Sequence, residues 1–207
     1  LSKLAPTIYS ISLDDCVKSG IVSPYNIYCQ PVSLTKAEKD DYKKIHNQFL
    51  YYKYKLGQFD AFDEAKRILA DKNAGPAEKA AAVGFYRTIR ERKKIVDFAS
   101  NKITAFQTLV LKNVSNKILA FSGANDFTDQ LCASVSPLSA TYHSKKTKKQ
   151  REKALNDFKN GHVNVLCSTK ALNQGLDIPD ANIGIMCGIT SKSLSMIQRV
   201  GRLIRFQ

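Results

Sequence analysis

Near the carboxyl end, "MIQRVGRLIRF" sets Arg199, Arg202 and Arg205 three residues apart, with Gln198 beside the first. On a helix that step keeps the side chains on neighbouring faces, so the guanidiniums crowd and repel one another. Such a surface makes physical sense when an anion comes to meet it. Upstream, "STKALNQGLDIPD" offers a second set of chemical groups. Ser168 and Thr169 stand where a helix N-terminus would begin, so hydroxyls and free backbone N–H groups converge on a spot suited to a phosphate. An ordinary N-cap reads the same way. Gly175 permits a close backbone approach, Asp177 offers a carboxylate beside it, and Pro179 stops the helix.

The elements that must hold these groups follow from the texture of the chain after Asn113. Apolar β-like runs at 117–123, 138–144, 163–169 and 182–188 alternate with helical stretches from Asp126 to Val135, from Thr147 to Asn160, near Ala171, and through the arginines. Near-continuous apolar strands alternating with helices predict an α/β fold, a parallel sheet covered by helices on both faces. Ligands of such sheets gather at the carboxyl ends of the strands. The loops after Phe121, Tyr142, Cys167 and Cys187 are therefore where function is expected.

The earlier part of the chain reads differently. A short β-like run at Thr7–Ile11, a helical turn from Leu13 to Lys18 closed by Gly20, and a second β-like run from Tyr25 to Leu34 come first. Thr35 and Glu38 then form a capping box, and Tyr42, Ile45, Phe49, Tyr52 and Leu56 repeat at steps of three and four, which predicts a packing face. "NAGP" at 73–76 breaks the chain, with Pro76 placed for the first turn of a helix over Ala77–Phe98. That helix carries "RTIRERKK", which is either a solvated face or part of a nucleic-acid track. A shorter helix is expected from Lys102 to Leu111.

At 207 residues, 43% of them hydrophobic, the chain can bury a large core. Its net charge of +14 exceeds what solubility requires and points to a polyanionic partner. The excess clusters: Lys145, Lys146, Lys148, Lys149, Arg151 and Lys153 fall within nine residues, as a basic rim or a solvated helix start. Five cysteines show no CxxC pair and no histidines at ligand spacing, so no metal site is expected and they read as small buried hydrophobes in a reducing compartment. His46 and His162 have no partner nameable from the sequence. No run approaches the ~18 apolar residues of a membrane span, so the expectation is a soluble, intracellular protein with no membrane partner. A start on Leu1 suggests a piece of a longer polypeptide.

"STKALNQGLDIPD" followed by "QRVGRLIR" resembles motifs V and VI of the superfamily 2 helicases and translocases. "ILAFSG" resembles their motif IV, and "TYHSK" the nearby element that meets the nucleic-acid backbone. Order and spacing resemble the second of their two RecA-like domains. The opening "LAPTIYSISLDDCVKSGIVSPYNI" is similar to the segment leaving the first domain in one DNA branch, which holds the xeroderma pigmentosum group B repair helicase and phage recombination helicases. The resemblance covers 1–34 and 114–207. It implies an exit segment, linker and first strand at 1–34, a helical insertion at 35–113 and a RecA-like helicase C-terminal domain at 114–207.

By that resemblance Arg202 and Arg205 are expected to be arginine fingers toward ATP, with Gln198 bonding near the γ-phosphate or to the opposite domain. Arg199 serves at the same ATP cleft or as a brace, and Gly175 and Asp177 shape it. No G-x-x-x-x-G-K-[ST] occurs in the chain and no Asp-Glu pair follows a strand in the manner of the magnesium-binding motif, and in the family both belong to the first domain. ATP and Mg2+ are thus expected mainly on that domain, and this fragment alone is expected to be inactive. Ser122, His143, Ser144 and Thr169 are expected at nucleic-acid phosphates, with Lys145 and Lys146 beside them. The expected partners are DNA, single-stranded or branched, and the first RecA-like domain. Alternatives are a restriction-enzyme motor subunit, an RNA helicase, or a nucleic-acid-binding module without ATPase activity.

Overall fold

A computed structural model of the chain describes residues 13–20, 24–57, 59–169 and 181–188. Four short β-like runs become strands: β1 Ile118–Phe121, β2 Ser139–Tyr142, β3 Val165–Ser168 and β4 Ile183–Met186. All pairings are parallel, in the order β2-β3-β1-β4. Every residue of β1 and β3 is buried, as central strands covered on both faces require, whereas β2 and the opposite edge β4 are less buried.

Helix α6 (Asn125–Ser134) follows β1, and α7 (Lys148–Lys159) follows β2. Leu119, Phe121 and Leu166 form one core with Ala154, Leu155 and Phe158 of α7. Alternation along a strand turns Ala120 and Cys167 to the other face. There α6, with Phe127 and Leu131 buried, packs against β2 and β3. The parallel, doubly covered α/β sheet expected from the sequence is therefore present.

Before the sheet come α1 (Leu13–Lys18), α2 (Lys36–Lys55), α3 (Ala61–Ala70), α4 (Pro76–Asp97) and α5 (Asn101–Lys112). The chain divides into two compact units, the described parts of 1–31 with 107–207, and 32–106. In the second unit Leu56, Ala61, Ala65, Ile68, Ala82 and Phe85 make the core, with Phe49 and Tyr52 against it. Thr35 and Glu38 form both bonds of the capping box, and Pro76 opens α4. Gly84 is needed where it stands: a Cβ there would run into the Tyr52 ring.

Two expectations change, and one helix had not been marked off. The run from Tyr25 to Leu34 carries no strand, because Pro24 and Pro31 have no N–H to give a ladder and Tyr28 is exposed. Cys29 in that segment is exposed, so the cysteines are not uniformly buried; Cys167 and Cys187 are, and Cys132 is half-buried. Helix α3 had no separate signal, since its buried residues are two alanines and one isoleucine. The run Thr7–Ile11, the helix near Ala171 and the arginine helix lie outside the described residues. No described helix is long and apolar enough to cross a membrane.

Candidate functional site

Parallel register brings the carboxyl ends of all four strands into one row: Tyr142 and Phe121 both pair with Ser168, and Phe121 pairs with Met186. The ladder runs on for a residue, with Ser122 N donating to Ser168 O at 3.0 Å and Cys187 N to Phe121 O at 2.8 Å. Ser122, His143 and Thr169 therefore stand side by side, one step past the strands.

Ser122 is 1% exposed. Its Oγ lies 2.6 Å from Thr128 Oγ1 and 3.0 Å from Ala124 O, so it fastens the β1–α6 turn. The His143 imidazole is 1% exposed, with Nε2 3.1 Å from Asp129 Oδ1. Its Nδ1 is buried and makes no hydrogen bond. Ser144 and Lys145 are exposed in the turn that Lys146 N closes on His143 O at 3.0 Å, and Thr169 is half-buried at the end of β3.

Sequence reading did not weigh the two carboxylates that answer this basic turn. Asp126 and Asp129, one turn apart on α6, take Lys145 Nζ at 2.7 Å and Lys146 Nζ at 3.0 Å. Burial pushes the Asp129 carboxyl up, but the bonds from Lys146 and His143 outweigh it and leave Asp129 below the ordinary carboxylate range. Lys145 is held above the usual lysine range by its bond to Asp126. The only signal in the sequence was the i, i+3 spacing of two acids on a helix entering the site.

Along α7 the expected rim is mixed. Thr147 caps the helix through Gln150 N, Lys153 pairs with Asp157 at 2.8 Å, and Lys148 approaches Glu152 at 3.9 Å. The Arg151 guanidinium lies 5.9 Å from the Tyr142 ring centroid. Lys149 is exposed. His162 has Asp157 at 3.6 Å, and His46 stacks between Tyr42 and Phe49, so both histidines acquire neighbours. "RTIRERKK" is divided: Arg92 lies 4.4 Å from the Phe49 centroid and donates to Tyr42 Oη at 2.9 Å, while Arg87 and Lys93 face Glu91 and Asp97.

Arg202, Arg205, Gln198, Arg199, Gly175 and Asp177 lie outside the described residues. Among the described residues no group of three or more His, Cys, Asp or Glu could hold a metal ion.

The profile of the helicase conserved C-terminal domain matches residues 101–207. The DNA 3'-5' translocase XPB2 of Sulfurisphaera tokodaii is 25% identical over 207 residues, spanning 98% of this chain and 45% of that protein. A probable ATP-dependent RNA helicase, ddx49 of Dictyostelium discoideum, is 44% identical over 68 residues, 33% of this chain and 13% of its own. This chain thus spans less than half the length of these curated relatives. Among solved structures, the SWI2/SNF2 ATPase C-terminal domain of Sulfolobus solfataricus superposes with a TM-score of 0.50 at 17% identity, covering 75% of this chain and 68% of that one. With the four-stranded parallel sheet and its covering helices in hand, the chain belongs to the helicase conserved C-terminal domain family, as a second RecA-like domain of the superfamily 2 helicases.

Proposed function

We propose that this chain is the second motor domain of an ATP-dependent DNA helicase or translocase. In this reading residues 1–34 leave the first domain, 35–113 form a helical insertion and 114–207 form the motor fold. Helicases of this family generally use ATP and Mg2+, pair two RecA-like domains and bind nucleic acid. The observation that carries the reading is the level row of four strand ends, where Ser144, Lys145 and Thr169 are presented and where β3 and β4 lead in sequence into the stretches that resemble motifs V and VI. DNA is favoured over RNA because the DNA translocase aligns along 98% of this chain, whereas the RNA helicase ddx49 aligns along a third.

Arg202 and Arg205 are the arginine fingers of this reading. In phosphoryl transfer the protein's work is to position groups and to neutralise charge growing on the γ-phosphate oxygens, and a guanidinium brought from another domain ties that step to cleft closure. Gln198 orients toward the same phosphate, Arg199 braces the helix, and Gly175 and Asp177 shape the wall of the cleft. ATP with its Mg2+ is held mainly by the first domain.

At the strand tips the roles divide by exposure. Ser144 and Thr169 offer hydroxyl and backbone groups to successive phosphates, with Lys145 and Lys146 beside them, contacts that position a strand without reading bases. Ser122 and His143, each committed to α6, hold the two tips in place.

The test uses the intact polypeptide. Arg202→Ala or Arg205→Ala should lower DNA-stimulated ATP turnover by ~10³-fold or more, with single-strand affinity kept. Undiminished turnover in both variants removes the assignment. Supplying a purified first domain in trans should restore DNA-stimulated hydrolysis to this chain, which a passive binding module would not do.

A further inference from the structure

We propose that the outward face of α2 is a stacking surface for a single-stranded nucleic acid, separate from the strand tips. That face carries Lys43, Lys44, Asn47, Tyr51, Tyr54 and Lys55, all exposed, on one side of the helix. The exposed Asp40 lies one turn before Lys43 and Lys44, no Asp or Glu falls between residues 43 and 55, and Leu50 is the one exposed aliphatic residue in that stretch.

The two outward tyrosines are not spare core. The packing side of α2 is already occupied: Phe49 stacks on Phe85 at 5.4 Å, Tyr52 sits against Gly84, and Leu56 is buried. Yet Tyr51 remains 57% exposed and Tyr54 75%. Rings this open contribute little to folding, and a tyrosine with its apolar body in water is the kind of residue that interfaces recruit.

Tyr51 is also oriented in advance. Its ring meets the edge of Tyr52 at 5.3 Å and 71°, and Tyr52 is wedged where Gly84 has no Cβ. Lys55 Nζ lies 5.7 Å from the Tyr51 ring centroid. Residues 51 and 54 are neighbours on the helix surface, so their rings can take successive bases while Lys43, Lys44 and Lys55 meet the phosphates. Single strands are bound by this combination of aromatic platforms and flanking cations. A duplex keeps its base faces stacked and would leave only the phosphate contacts. A protein partner is the poorer fit, because from Lys43 to Lys55 the face has a single aliphatic residue and charge of one sign.

This surface does not rest on the strand-tip reading, and its test keeps the two apart. With the full chain and a labelled oligothymidylate, Tyr51→Ala/Tyr54→Ala should weaken binding ~10-fold or more, while an equally long duplex binds nearly as before. Tyr51→Phe/Tyr54→Phe, which keeps both rings, should bind like the parent. On the unsubstituted chain, irradiating a 5-bromouracil-substituted strand should attach it to the peptide holding Tyr51 and Tyr54. Single-strand affinity within about two-fold of the parent in the alanine variant, an equal loss for duplex and single strand, or attachment confined to the segments around Ser144 and Thr169 would each overturn the proposal while leaving the strand-tip reading standing. A dimer dispersed by the alanine variant at unchanged oligonucleotide affinity would overturn it in favour of a second copy of the chain.

Discussion

At the β2–α7 turn, Lys145 and Lys146 each face a carboxylate of α6, at 2.7 and 3.0 Å. On α2, Lys43 and Lys44 follow the exposed Asp40 by one turn, and from there to Lys55 the face carries no acid and two open tyrosine rings. Both surfaces are basic, but they differ in what holds them. The first is braced: Asp129 takes Lys146 and His143 together, so the turn is held by bonds within the fold. The second is held through its rings, by Tyr52 against Gly84, and leaves its ammonium groups in water. Charge that already has a partner positions a ligand more than it attracts one, whereas uncompensated charge attracts and lets geometry be set by stacking.

The largest expected effect comes from making the braced surface resemble the bare one. Asp129→Ala removes the partner of a buried imidazole and should cost about 2 kcal/mol, or roughly 4–8 °C of Tm at this chain length. It also releases Lys146, so oligonucleotide affinity should rise as stability falls. A melting curve paired with an anisotropy titration reads both, and an unchanged Tm would mean that the brace does not hold the turn.

On the other side, Gly84→Ala drives a methyl group into the Tyr52 ring and should cost about 1–3 kcal/mol. Because Tyr52 supports Tyr51, stacking on the α2 face should weaken too; a fully stable variant with parental single-strand affinity would show that the ring is not held from beneath.

Acid acts more gently, within the unit that holds α2. Glu38 accepts from Ser100 N and Ser100 Oγ and from Thr35 N, and these bonds hold its carboxyl down to about 2 from an ordinary value of 4.5. A lowered carboxyl contributes its stability above the unfolded value and loses it as pH falls through the folded one. Between pH 4.5 and 2 the parent should therefore lose a stability increment that Glu38→Gln does not lose. Parallel acid titrations of the two proteins, followed by circular dichroism, test this; coincident curves would remove Glu38 as the anchor of α2.

The smallest difference lies in salt dependence. Lys55→Gln should lower the slope of log affinity against log salt for a single strand by about 0.7, and Lys145→Gln by less, because Asp126 already stands as its counterion. Equal slopes would mean that the Lys145 pair opens freely on binding.

Much of the sheet unit was readable before any coordinates. The run "ILAF" is apolar throughout, and "VLCS" up to its last residue Ser168, because both faces of a central strand are covered, so composition alone marks them. Thr35 with Glu38 and Thr147 at the start of α7 mark helix starts by chemistry that acts within four residues. Where the reading went astray, the reason is also local. Tyr25–Leu34 has β-forming side chains, but Pro24 before it, Pro31 within it and no ladder partner among the described residues, and a strand exists only when something pairs with it. Helix α3 hides because alanines fill its contact face and carry little pattern.

From the order of its residues this protein has its parallel-sheet class, its helix caps and the arginine- and glycine-bearing motifs of its family, since each depends on neighbours a few positions apart. The strand order β2-β3-β1-β4, the seating of Arg92 on Tyr42 and Phe49, the bracing of Lys145 and Lys146 by α6, and the exposure of Tyr51 and Tyr54 are matters of folding. These join residues far apart along the chain, or depend on which side of a helix a neighbour covers. A charge or a ring carries the same letter whether a carboxylate meets it or water does.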